Sequence, residues 1–432
     1  MFAILCAVVF ALSAPAQGNR PLPATRDLLA DVAVRNAAPW VMERTVVHGD
    51  IAHYRMDVVA GPGKFDVIRL HRVVREQQPN QPIQTKDAVM LLPGNPTSFE
   101  MLYMQPSFSS VPTWDRSIAV FLAKNDIDVW GIDYGWALVP LETTNFGFMK
   151  GWDVWKDAEH ARIALSIARW MRGSFWQRVD PLYVAGLSYG ALIAYSVAGE
   201  DAQLPAYSRN VKAIIPLDWG VRLQEASDRA GACDMLAADL AKLHAGVYQN
   251  DFGAFGKQLA DLAKSAPSAK PSLLDPELTN YQAALLAGSS GQPPISWHFV
   301  GGYLDEHGIP TDLRYTEAPL YLDILGMMPP YYPTQLDADV DAMFCAGAEV
   351  PFEDHLARIT VPILYIGAAG GFGQYGDYTT TLTSSKDVTK RLVKFLAPEQ
   401  RMMDFGHADM VAAKNAETLV WKPILDWIKA HR

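Results

Sequence analysis

The sequence is short of charge and nearly devoid of cysteine. Asp, Glu, Lys and Arg make up 19% of its 432 residues, and no run of like charge occurs. Acidic residues outnumber basic ones, 47 to 37, for a net charge of −10. Binding to nucleic acid needs clustered Lys and Arg to neutralise phosphates, so this balance excludes it as a partner. Beyond the N-terminus no apolar run is long enough to cross a bilayer, which takes about 20 residues; no stable membrane insertion is expected. Internal repeats and low-complexity tracts are also missing. What is present is core material: half of the residues are hydrophobic and 11% are aromatic. Disorder is therefore expected only towards the ends.

Residues 2–12 form an apolar run too short for a mature membrane helix, and Ala14-Pro15-Ala16 follows with the small-x-small pattern of a processing site. Residues 1–16 are read as a secretory signal peptide, although no Lys or Arg precedes the apolar run. A secreted or periplasmic protein is the expectation. Cys6 would leave with the leader. Cys233 and Cys345 remain, at a spacing that matches no metal motif. An oxidising compartment allows them one disulfide; two buried thiols are the other reading.

After a Pro-containing lead-in (17–40), strands are expected at Ile51–Val59 and 66–74, separated by the turn signal Gly61-Pro62-Gly63. Short apolar strands then alternate with helical stretches. Strands fall at Asp87–Leu92, 128–132, 182–185 and Val211–Leu217, helices at 117–124, 155–171 and 192–197. This alternation defines an α/β class with a mostly parallel sheet covered on both faces. After Gly220 the rhythm breaks. Residues 221–350 hold helix-like stretches at 222–244 and 251–264, Pro-rich turns and the apolar patch Met327-Met328-Pro329-Pro330-Tyr331-Tyr332. The alternation resumes with strands at 361–366 and 401–405 and a helix at 416–429. The expected organisation is a sheet domain in two pieces, 17–220 and 351–432, interrupted by a helical cap over 221–350.

Three motifs carry chemistry. Gly186-Leu187-Ser188-Tyr189-Gly190 lies between a strand and a helix, the context of a nucleophile elbow that presents the serine oxygen at the mouth of a sheet. Phe405-Gly406-His407-Ala408-Asp409 places a histidine in a loop shortly before the last helix, where a general base can reach the serine. Leu92-Pro93-Gly94-Asn95-Pro96 follows the first core strand and supplies a candidate oxyanion loop. Pro96 has no N–H, so Asn95 is the expected backbone donor, with Tyr189 as the second. A third group must orient His407. Asp218, directly after Val211–Leu217, and Asp377, in the region after 361–366, are both candidates. Asp133, Asp404 and Asp409 are read as structural.

These motifs, in this order, resemble the α/β-hydrolase superfamily, over roughly residues 45–220 and 355–432. The resemblance implies an eight-stranded, mostly parallel sheet, a Ser-His-acid triad, and neither cofactor nor metal. The Gly94-Asn95-Pro96-Thr97-Ser98 loop is similar to that of haloalkane dehalogenases. Those enzymes carry an aspartate at the elbow, and this chain has Ser188. The expected activity is a serine hydrolase of the carboxylesterase or lipase kind, acting on a small-molecule ester with an apolar acyl or alcohol group. Thioester, lactone or amide hydrolysis on the same residues, and a non-catalytic binding protein on this scaffold, are the alternatives.

Overall fold

The computed structural model describes residues 42–432 apart from 175–178, 292–294 and 347–349. The expected leader, 1–16, and most of the lead-in lie outside the described residues.

The central sheet runs through nine strands: β1 (Glu43–His48), β2 (Ile51–Val59), β3 (Val67–Gln78), β4 (Asp87–Leu92), β5 (Ile127–Asp133), β6 (Leu182–Leu187), β7 (Val211–Leu217), β8 (Ile363–Ala368) and β9 (Val388–Val393). Their spatial order is β1-β2-β3-β5-β4-β6-β7-β8-β9, with the two-residue strand Gln81–Pro82 paired to β3. The β1–β2, β2–β3 and β3–β5 pairs and the pairing of Gln81–Pro82 with β3 are antiparallel; the others are parallel. The sheet therefore exceeds the eight strands expected. The strand Glu43–His48 went unread because most of its residues are half-buried or exposed and show no two-residue alternation. Val388–Val393 was hidden for the same reason. The stretch 401–405 is no strand: Pro398–Met403 is a 3-10 helix.

Every residue of β4, β5 and β6 is buried. Successive side chains of a strand point to opposite faces. In β4, Val89 and Leu91 accordingly join one core cluster, with Ile118 and Leu122 of the helix Ile118–Lys124 and Ile424 and Ile428 near the C-terminus. Met90 and Leu92 join the other, with Ala161 and Leu165 and with Leu192 and Val197. The helices of the sheet domain are α1 (Phe99–Tyr103), α2 (Ile118–Lys124), α3 (Val154–Ser174) and α4 (Tyr189–Asp201).

Between β7 and β8 the chain forms α5 (Ala226–His244), α6 (Phe252–Ser265), α7 (Asn280–Ser289), α8 (Ala318–Gly326) and α9 (Thr334–Cys345). Two small antiparallel ribbons accompany them, Gly302–Leu304 with Pro310–Leu313 and Tyr332–Pro333 with Gln249–Asn250. Cys233 of α5 and Cys345 at the end of α9 form a disulfide across 112 residues. The fold closes with α10 (Gly373–Thr380), α11 (Asp409–Ala412) and α12 (Lys422–Ala430). Among the described residues no helix is long and apolar enough to cross a membrane.

Candidate active site

Ser188 stands between the end of β6 and the start of α4 with φ 60° and ψ −130°. A side chain in this region is strained, by about 1–3 kcal/mol, and persists only where its surroundings dictate it. They do so here. A carbon added to Gly186 would lie 2.1 Å from the Gly190 carbonyl oxygen, and one added to Gly190 would lie 2.1 Å from that of Leu92. Glycine at both positions lets the turn fold tightly against β4. The Ser188 amide donates to the Leu217 carbonyl at 3.1 Å, tying the elbow to β7.

His407 is 4% exposed, and its Nδ1 lies 2.7 Å from Asp218 Oδ2. The carboxylate accepts, so Nδ1 carries the proton and Nε2 holds the lone pair. Nε2 is buried, finds no hydrogen-bond partner among the described residues, and His407 lines the same cavity as Ser188. Asp218 is fully buried, and its other oxygen accepts the Ala368 amide at 2.7 Å. A carbon added to Gly371 would come within 1.9 Å of Asp218 Oδ2, so the glycine leaves room for the carboxylate. Asp377 is not brought to His407. It is exposed on α10 and pairs with Lys390 of β9 at 3.1 Å.

The histidine loop is held from behind. The amides of His407 and Ala408 donate to the carbonyls of His298 and Phe299 at 3.0 and 2.6 Å. Trp297 and Phe372 set their rings against the imidazole at 5.2 and 5.4 Å between centroids. The buried His298 donates through Nε2 to the Asp404 carbonyl, while His307 is exposed on the surface. Asp409 accepts the amides of Gly301 and Gly406 and the Thr316 hydroxyl; burial pushes its pKa up to about 6. Asp404 accepts the amides of Phe395, Leu396 and Phe405. Both acids brace the loop.

The Gly94–Ser98 loop lies against the elbow. A carbon added to Gly94 would meet Ser188 Cβ at 2.9 Å. The loop turns tightly, with the Thr97 hydroxyl donating to the Gly94 carbonyl, and Ser98 caps α1 by accepting from Met101. Asp133 anchors its far end by accepting the Phe99 amide at 2.6 Å. Asn95 lines the cavity beside Ser188, and Tyr189 follows Ser188 as the first residue of α4. The amide of a first helical residue has no carbonyl within its own helix to bond. The Tyr189 side chain points away, donating from its hydroxyl to Asp157, which also accepts from Trp136 Nε1.

One group of described residues brings three potential metal ligands together: His53, His71 and Glu100. Its geometry is that of a hydrogen-bond chain. His71 Nε2 donates to Asp133 at 3.0 Å, leaving Nδ1 to accept from His53 Nε2 at 2.9 Å. The two imidazoles are nearly coplanar, 12° apart, with centroids 5.2 Å apart. The two nitrogens thus face each other along one line, as a shared proton requires, whereas metal ligands converge on a point at an angle.

The site's cavity is roofed by residues 252–328. Phe252, Phe255 and Leu259 come from α6, Ile324 and Leu325 from α8, and Met328 follows α8. Apart from Met328, which belongs to the apolar patch noted in the sequence, these residues, and Trp297 and Phe372 beside His407, cannot be assigned to the site from the sequence, because nothing local in the chain connects them to it. The Met327–Tyr332 patch splits: Met328 reaches the cavity, while Tyr332 packs edge-on against Trp136 at 6.4 Å and donates to Asp337.

No protein-family model and no curated protein matches the chain. Solved structures do. A proposed lipase from Sulfolobus solfataricus superposes with a TM-score of 0.60 at 20% identity, over 91% of this chain and 99% of the other. A thermophilic esterase from Thermogutta terrifontis does so at 0.40 and 12% identity, over 87% and 98%. At such identities only the fold is shared. The chain carries the α/β-hydrolase fold, with a mostly parallel central sheet.

Proposed function

We propose that the protein hydrolyses carboxylic esters through an acyl-enzyme on Ser188. The observation that carries this is the His407–Asp218 pair, which leaves the Nε2 lone pair free in the cavity that Ser188 lines. His407 takes the serine proton, Ser188 attacks the carbonyl, and the amides of Asn95 and Tyr189 hold the oxyanion. His407 then protonates the leaving alcohol and activates water for deacylation. Asp218 keeps the imidazole in the required tautomer. The proposed lipase from Sulfolobus solfataricus supports the same reading at the level of the fold.

The cavity favours an apolar chain. It offers about 60 Å³ and is walled by Phe252, Phe255, Leu259, Ile324, Leu325 and Met328. Esters of short to medium acids are the proposed substrates. Hydrolysis of p-nitrophenyl esters from acetate to palmitate, beside Ser188→Ala, tests this. The expected profile peaks between butyrate and octanoate and vanishes in the variant. A profile that peaks at palmitate, or turnover that survives in Ser188→Ala, contradicts it. Export, with the leader at 1–16, belongs to the same proposal; the Cys233–Cys345 disulfide supports an oxidising compartment.

A further inference from the structure

Buried polar atoms in folded proteins nearly always have a partner. Three side chains that line the site's cavity break this rule among the described residues: His407 at Nε2, Asn95 at Oδ1 and Tyr321 at its hydroxyl. Nε2 is accounted for by the serine proton and Asn95 belongs to the oxyanion loop. Tyr321 has no part in the chemistry above. It sits on α8, 3% exposed, in a wall otherwise built of Phe, Leu, Ile and Met.

The position of its oxygen is informative. A carbon added to Gly288 of α7 would lie 2.3 Å from it. The nearby Gly288 carbonyl already accepts two amides, from Phe299 and Val300, at 2.9 and 3.0 Å. It has no lone pair left for the phenol. Phe299 in turn accepts from Ala408 and flanks the His407 ring at 6.4 Å. The hydroxyl thus lies where α8 meets α7, behind the Phe299 segment that backs the histidine loop. Burial holds its pKa well above the ordinary tyrosine range, so it remains a donor. A purely aliphatic ligand leaves this donor unpaired, and a phenylalanine would serve such a ligand better.

We propose that Tyr321 is a specificity-determining residue whose hydroxyl bonds an oxygen on the substrate's acyl chain near the scissile carbonyl, so that the preferred substrates are esters of hydroxy-substituted acids. The proposal rests on the ester-hydrolase reading. The acyl chain is assigned to the cavity because it stays bound to Ser188 while the alcohol must leave.

The test compares p-nitrophenyl hexanoate with the 2-hydroxy- and 3-hydroxyhexanoate esters, on wild type and Tyr321→Phe. Wild type is expected to favour one hydroxy ester by roughly 10-fold in kcat/KM, the worth of a hydrogen bond in a desolvated site. Tyr321→Phe should erase that preference while hexanoate turnover stays within about twofold. Its melting temperature should hold or rise, since an unpaired hydroxyl has been removed. Equal rates on all three esters in wild type, or an equal loss on all three in the variant, would overturn the assignment. Hexanoate turnover without preference sinks the role of Tyr321 alone; no turnover of any ester sinks the ester reading itself.

Discussion

The proposed nucleophile Ser188, base His407 and oxyanion donor Asn95 can be named from a few neighbouring residues each, because the motifs that carry them are local. The acid cannot. Asp218 and His407 are 189 residues apart and meet only when β7 and the histidine loop share one edge of the sheet. The sequence puts Asp218 only slightly ahead of Asp377, and in the structure the two differ in burial and partner. Replacing each by Asn converts that difference into kinetics. Asp218→Asn should lower kcat by about 10⁴-fold through the wrong histidine tautomer. Asp377→Asn, which loses one exposed pairing with Lys390, should stay near wild type. Steady-state kcat on a p-nitrophenyl ester decides; comparable losses in both would refute the assignment.

At the scale of elements, the legible parts were those with strong periodicity. The fully buried strand Asp87–Leu92 and the mostly buried strand Val211–Leu217 fall where the apolar runs place them. The edge strands β1 and β9 were not legible, because exposed strands carry no hydrophobic alternation. The packing of the cap was illegible too, since Phe252 and Met328 lie 76 residues apart and meet only across helices. Two substitutions test the contacts between elements. Gly371→Ala would push a methyl into the Asp218 carboxylate, and about 100-fold in kcat is expected from such a displacement, with KM little changed. Cys233→Ser unlinks α5 from α9 and should cost roughly 2–5 kcal/mol, read as a lowered melting temperature that reductant reproduces in wild type. A melting temperature indifferent to reductant would deny the disulfide its role.

The molecule as a whole carries an uneven load of buried acids. Burial pushes Asp157, Asp337, Asp339 and Glu200 up to about 7 and Asp341 up to about 8. Unfolded, these groups ionise near pH 4 (about 3.9–4.3), so the folded protein holds protons that the unfolded chain releases. Their stabilisation is full below the unfolded values and is lost as pH rises through 7 and 8. His53 and His160, pushed down to about 2 and 3 by burial, act in the opposite sense. Their effect is complete above pH ~6.5, the unfolded value. The melting temperature should therefore fall between pH 6.5 and 8.5, by a few degrees at about 2–4 °C per kcal/mol; a flat or rising curve would contradict this account. The central claim concerns one atom, the Ser188 oxygen. Treatment with a fluorophosphonate followed by peptide mass spectrometry addresses it most directly. The account predicts a single adduct on the peptide containing Ser188, lost in Ser188→Ala and strongly slowed in His407→Ala. No adduct on folded protein, or an adduct on a different residue, would contradict it.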